Sequence, residues 1–278
     1  MSRLLHAGRV RVEKDPLYRM GIVLMVLLGV FLVGIAYYTG IKEHEPMYLS
    51  EILYIYLPVI GFMCAIFCGY FSGQEYYDGT IRNKLIAGHS RTEIYFSNVI
   101  INVCAVLFLW LILLLTEIIL GTLLLDGIGA EVVGADGGKL LGIFMGSLLT
   151  IVALCSIFTL IAMVSQNHST SDAICILVAC ILLCSSLYVW SVVGEIQDYD
   201  RMVEEGCDPY VDKSDAFYPR LKNRESYEFL HDCLPSGQMI QYVSMNVRSP
   251  ERLPLYSLGI IFVTTSIGVL VFQKKNIR

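Results

Sequence analysis

The chain has 278 residues, 55% of them hydrophobic and only 16% charged, with a formal net charge of −5 and a mean hydropathy of +0.62. A soluble domain of this length cannot bury that much apolar surface, so a water-soluble fold is excluded and a lipid bilayer is the expected surrounding.

Before the first apolar run, the segment SRLLHAGRVRVEKDP sets Leu4, Leu5, Val10 and Val12 among Arg3, Arg9, Arg11 and Lys14. Residues 1–19 are either an amphipathic helix lying along the membrane surface or a basic tail. A spanning helix needs roughly 20 mostly apolar residues. Six runs meet that requirement: about Met20 to Tyr38, Ile52 to Phe71, Phe96 to Leu120, Leu140 to Val164, Ala173 to Gly194 and Leu255 to Phe272. The first is too long for a signal-peptide core, and YYTGIKEHE behind it lacks a small-residue cleavage site, so a retained helix is expected.

Orientation follows from the placement of Lys and Arg in short loops. Arg3, Arg9, Arg11, Lys14, Arg19, Arg82, Lys84, Arg91, Lys274, Lys275 and Arg278 fall on one side, against Lys42 and Lys139 in the short loops of the other. The fold class expected is an all-α integral membrane protein with six spans and both termini inside. It divides into residues 1–19, spans one to five over 20–194 with a loop at 72–95, an external segment at 195–254, and the sixth span with a basic tail at 255–278.

The loop at 72–95 is far longer than a connector needs. It holds a turn at Asp78-Gly79 and then Thr80 as cap of a short helix through Ile81, Arg82, Asn83, Lys84, Leu85, Ile86 and Ala87, stopped by Gly88. Ser90 with Glu93 makes a capping box that launches the third span. The short helix is expected to carry its bases on one side and Leu85 and Ile86 on the other, a surface suited to docking a partner protein.

Chemistry within the spans is sparse. Glu117, in LLLTEIILG, is the one acid well inside an apolar run, and it is either an interfacial carboxylate or an intramembrane functional charge. All five histidines lie outside the spans, so no intramembrane zinc motif can be drawn and a membrane metalloenzyme is disfavoured. No phosphate-binding loop is present. The nearest glycine-rich piece, GADGGKLLG from Gly134 to Gly142, precedes a span instead of following a strand. Gly142 and Gly146 sit one helical turn apart and would let a second helix approach closely.

Between Glu195 and Pro254, twelve Asp or Glu face seven Lys or Arg, a local balance of −5. This segment is either a solvated cap or an acidic vestibule that concentrates cations. Seven of the nine cysteines lie in or at the edge of spans and read as packing residues, whereas Cys207 and Cys233 share the external segment, where a disulfide is permitted and sequence leaves it open.

The order from Glu75 to Ile100, with an acid, then YDGTIRNKLIAGHSRTE, resembles the cytoplasmic loop of ABC-2 type permeases, the membrane subunits of bacterial ABC exporters. The group that it resembles most includes bacteriocin, lantibiotic and bacitracin immunity transporters. The matching positions are Glu75, Gly79, Thr80, Ile81, Arg82, Asn83, Lys84, Leu85, Gly88, Ser90 and Arg91. LPSGQMIQYVS, Leu234 to Ser244, resembles the family's segment ahead of the sixth span. The acidic stretch from about Gln197 to His231 departs from it.

The resemblance implies a permease subunit in a bacterial plasma membrane, with the short helix coupling it to an ATPase. No cofactor is expected in this chain, since ATP and Mg would be bound by the partner. The partners implied are two copies of an ABC ATPase, a second permease copy, the lipid bilayer and a peptide or small-molecule substrate, with no nucleic acid. A sensor or immunity protein that binds a ligand externally and only recruits an ATPase is the alternative. A membrane enzyme would require paired catalytic groups in the spans, and none can be assembled.

Overall fold

The computed structural model describes residues 1–127, 137–206, 217–244, 247 and 251–274. The side chain of Lys139, together with Cys207, Asp208, Asp212, Asp215, Lys275 and Arg278, lies outside the described residues. The described residues are helical and contain no strand.

Helix α1 covers Ser2–Lys14, and Leu4, Gly8 and Val12 are buried one turn apart. The N-terminal segment is therefore the amphipathic helix of the two readings. Asp15 ends it in an extended conformation and then caps the next helix, α2 (Pro16–Glu43), by accepting from the amides of Leu17 at 2.8 Å and Tyr18 at 3.4 Å. Pro16 occupies the first turn of α2, where a missing amide costs nothing.

The second apolar run is broken. A short helix α3 (Leu49–Ile52) gives way to a turn at Leu53 to Tyr56, and the long helix α4 (Leu57–Tyr77) starts five residues later than the hydropathy alone placed it. Pro58 in the first turn of α4 and a left-handed Tyr54 (φ 75°) mark the break. After α4 come the short α5 (Thr80–Ile86), α6 (Arg91–Leu124), α7 (Gly137–Ser165) and α8 (His168–Glu204). The last elements are α9 (Phe217–Lys222), α10 (Arg224–Cys233), α11 (Pro235–Val243) and α12 (Arg252–Lys274).

Six of these helices, α2, α4, α6, α7, α8 and α12, are long and apolar enough to cross a membrane. Their packing supports that reading. Helix α4 is central and lies against α6, α7 and α8, while α2 packs on α6 and α12 on α7. The outward faces of α2 and α12 present rows of exposed apolar side chains: Val23, Leu27, Val30 and Phe31 on one, Leu255, Leu258, Phe262 and Leu270 on the other. A continuous apolar exterior of that extent needs a lipid solvent.

Two sequence expectations change in the second half. Helix α8 continues about ten residues past Gly194 as a solvated rod, and α9 and α10 fold back onto it. Arg220 pairs with Glu195 at 2.6 Å, and Arg224 pairs with Asp200 at 2.7 Å and with Glu228 at 2.7 Å. Glu228 and Asp200 raise the Arg224 guanidinium above its ordinary range. Three of the twelve acids are thus held by two of the seven bases already counted, and the net balance of −5 stands.

The segment resembling a family feature, Leu234 to Ser244, forms α11, and every residue from Pro235 to Tyr242 is buried among α4, α7, α8 and α10. Most of its polar groups find partners there, while Gln241 Oε1 and Tyr242 Oη are buried without one. Gln238 accepts from Thr150 at 2.7 Å and from Ser257 at 2.7 Å, and donates to the carbonyl of Asp232 at 2.8 Å. The close approach expected at Gly142 and Gly146 is made by Gly146 alone. The Tyr242 ring of α11 lies where a side chain at 146 would stand, whereas Gly142 faces open space.

Candidate functional site

The polar block after α4 folds as a suspended short helix. Asp78 closes α4, and Gly79 takes the left-handed conformation (φ 66°) that turns the chain into α5. Gly79, not Thr80, is the N-cap, because Thr80 Oγ1 is used elsewhere: it donates to the carbonyl of Glu75 at 3.0 Å. At the other end, Gly88 (φ 87°) donates to the carbonyl of Leu85, and His89 donates to that of Lys84. These two bonds form a Schellman motif, the stop that glycine permits. Ser90 Oγ then accepts from the amide of Glu93 at 3.2 Å while the Glu93 carboxylate accepts from the Ser90 amide at 3.1 Å, completing the capping box of α6.

Glu75 is the centre of this region. It is 4% exposed and gathers three other elements. Lys84 of α5 reaches its Oε1 at 2.5 Å, Arg11 of α1 reaches the same oxygen at 2.9 Å, and Asn98 of α6 donates to Oε2 at 2.8 Å. Arg11 also donates to the carbonyl of Phe71 at 2.6 Å. A carboxylate removed from water is tolerated only with charge and hydrogen-bond partners on both oxygens, and this one has them. One turn deeper, Asn102 donates to Ser72 at 3.0 Å and to Thr159 at 2.9 Å, so α4, α6 and α7 share a second polar layer.

The two faces of α5 differ sharply. Ile81 is 1% exposed and packs with Ile94, Tyr95, Met163 and Phe272, with Leu85 at the edge of the same cluster. Lys84 points inward to Glu75. Arg82 and Asn83 are exposed, Ile86 is 83% exposed, and Tyr77 at the end of α4 is 79% exposed. The expected division of bases on one side and Leu85 with Ile86 on the other is replaced by a mixed one. Ile81, Lys84 and Leu85 hold the helix, and Arg82, Asn83 and Ile86 face out.

Arg91 ties in another helix at the same end of the bundle, donating to the carbonyls of Phe272 at 3.1 Å and Gln273 at 3.0 Å at the last turn of α12. Chain segments from α1, α4, α5, α6 and α12 thus converge at one end of the molecule. Sequence reasoning missed Arg11, Asn98 and Asn102. The Asn pair carried a signal, two amides one turn apart inside an apolar run, whereas the Arg11 contact spans 64 positions and left none.

Glu117 lies near the opposite end of α6. It is 0% exposed, and neither carboxylate oxygen has a hydrogen-bond partner. Cys233 is half-buried and bonded to no other cysteine among the described residues, and its suggested partner Cys207 lies outside them. Among the described residues, no three His, Cys, Asp or Glu side chains converge as a metal site would require.

Compared with known protein families and with curated proteins, the chain matches none.

Proposed function

We propose that this chain is the membrane-spanning permease subunit of an ATP-driven transporter of the ABC-2 type, and that the end of the bundle carrying α5 is where an ATPase docks. The observation that carries the reading is α5 itself. A seven-residue helix with engineered start and stop is tied by Lys84 to a buried acid of a spanning helix, while Arg82, Ile86 and Tyr77 face away. A surface built this way offers a partner steering charge and an apolar anchor. It also gives the partner a rigid lever, since any displacement of α5 pulls on α4 through Glu75 and on α1 and α6 through the same carboxylate.

In this reading both termini and α5 are cytoplasmic, as the Lys and Arg distribution predicts, and α9, α10 and the far end of α8 are external. Closure of the ATPase pair would be passed through α5 to rock the spans of two permease copies between inward-open and outward-open arrangements. A peptide antibiotic or other amphipathic molecule is the substrate class that the sequence resemblance favours. The cell membrane of a bacterium is the setting.

Since the chain has no phosphate-binding loop, the purified permease alone should release no phosphate from ATP, and activity should appear when its ATPase is added. Robust turnover by the isolated chain would refute the assignment. Efflux from proteoliposomes with and without the ATPase separates a transporter from a membrane sensor that merely recruits one: a sensor binds its ligand but moves none.

A further inference from the structure

At the end of α4 opposite α5, the turn from Leu53 to Tyr56 folds two tyrosines inward. Tyr54 is held in the left-handed backbone region (φ 75°), an uncommon conformation for a bulky side chain, and it is buried. The Tyr54 and Tyr56 rings lie 6.4 Å apart, tilted by 37°. Both sit within the field of Glu117, and Tyr56 lies beside Trp110, which occupies the same face of α6 two turns before the acid. The Trp110 indole N–H and the Tyr56 hydroxyl are buried facing each other, whereas both oxygens of Glu117 are buried without a hydrogen-bond partner. A buried acid with neither oxygen paired, beside a strained turn that carries two aromatic rings, has the form of a closed ligand site.

We propose that Glu117, Tyr54, Tyr56 and Trp110 form a receptor for the cationic head of an amphiphile, an alkylammonium or guanidinium group. The carboxylate supplies the missing counter-charge, and the three aromatic rings supply faces that attract an organic cation. A hard metal ion fits poorly, since it takes six or more oxygen ligands and, among the described residues, Glu117 belongs to no group of three or more His, Cys, Asp or Glu. The surrounding helices are apolar, so a ligand arriving from the bilayer needs an apolar tail. The Leu53 to Tyr56 turn acts as the lid, and its opening relieves the strain at Tyr54. The assignment concerns ligand class and does not rest on the ATPase reading.

The chain has two tryptophans, and Trp190 is half-exposed on α8. Trp190→Phe therefore leaves Trp110 as the sole indole reporter. Purified in a neutral detergent, this chain should show a saturable change in Trp110 emission on titration with dodecyltrimethylammonium, and none with an anionic or uncharged amphiphile of equal chain length. Glu117→Gln should weaken the response at least roughly tenfold, and Tyr54→Leu several-fold, in keeping with the loss of a charge pair and of a ring face. Tyr56→Phe, which keeps the ring, should bind nearly as the parent does. If Glu117→Gln responds like the parent, or the uncharged amphiphile produces the same saturable change, the acid is a neutral packing group and the proposal fails. Should Glu117→Gln not fold, an unaltered titration of Tyr54→Leu overturns it equally.

Discussion

Replacing Glu75 with alanine is expected to detach α5 from the bundle and to lower the stability of the purified chain by about 3 kcal/mol, a typical cost of breaking a buried ion pair by removing one partner. The loss is placed at the low end because Lys84 and Arg11 retain some solvent contact, at 15% and 26% exposure, and can turn outward once the acid is gone. Asn98, 4% exposed, cannot do so readily, and its orphaned amide accounts for part of the cost. Thermal unfolding in detergent checks the magnitude. Glu75→Gln should fall between parent and alanine, because the amide oxygen still accepts from Asn98 or Lys84 without the charge. A double-mutant cycle with Lys84→Ala should give an interaction energy above about 1 kcal/mol, since the two side chains share one short contact. A coupling near zero would mean that α5 is held by Ile81 and Leu85 alone, and the lever described above would have no linkage.

The second large effect belongs to Ile86. With 83% of its surface bare, Ile86→Asp should leave folding and insertion unchanged and weaken ATPase binding by at least about 2 kcal/mol, roughly thirtyfold, the penalty for removing an apolar anchor at an interface. Arg82→Glu should weaken association by a smaller amount that shrinks as salt rises, since exposed charges are screened over about 8 Å at physiological ionic strength. Leu85→Asp is a poorer probe. It places a charge at the edge of the cluster containing Ile81, Tyr95 and Phe272, so it would disturb the helix itself and confuse docking with folding. Pull-down of the ATPase by each variant, read beside its melting temperature, separates the two effects.

The parts of this architecture that local chemistry controls were legible in the sequence. Apolar runs located the six long helices, Gly88 announced the end of α5, and Ser90 with Glu93 announced the start of α6. What was not legible depends on distant partners. Thr80 has the character of a cap, yet its hydroxyl is claimed by the carbonyl of Glu75. Nothing local tells that Lys84 turns inward while Ile86 turns out, because that choice is made by Glu75 on another helix. The turn at Tyr54 is hidden inside an unbroken apolar run, and hydropathy has no term for backbone conformation. Helix α11 reads as an external polar segment because Gln238 and Gln241 are polar, and their burial is possible only with Thr150, Ser257 and Asp232 supplied from elsewhere. Glu117 was visible as an unusual acid, but its company of Tyr54, Tyr56 and Trp110 follows from the fold alone.

The central claim is that the surface of α5 receives an ABC-type ATPase, and site-specific photo-crosslinking in the native membrane addresses it most directly. A photoreactive amino acid at position 86 should capture a nucleotide-binding chain that contains a phosphate-binding loop, identified by mass spectrometry, and the same group at the exposed position 229 on α10 should not. Capture at position 86 that yields lipid or other copies of this chain, with no ATPase among the products, would contradict the account.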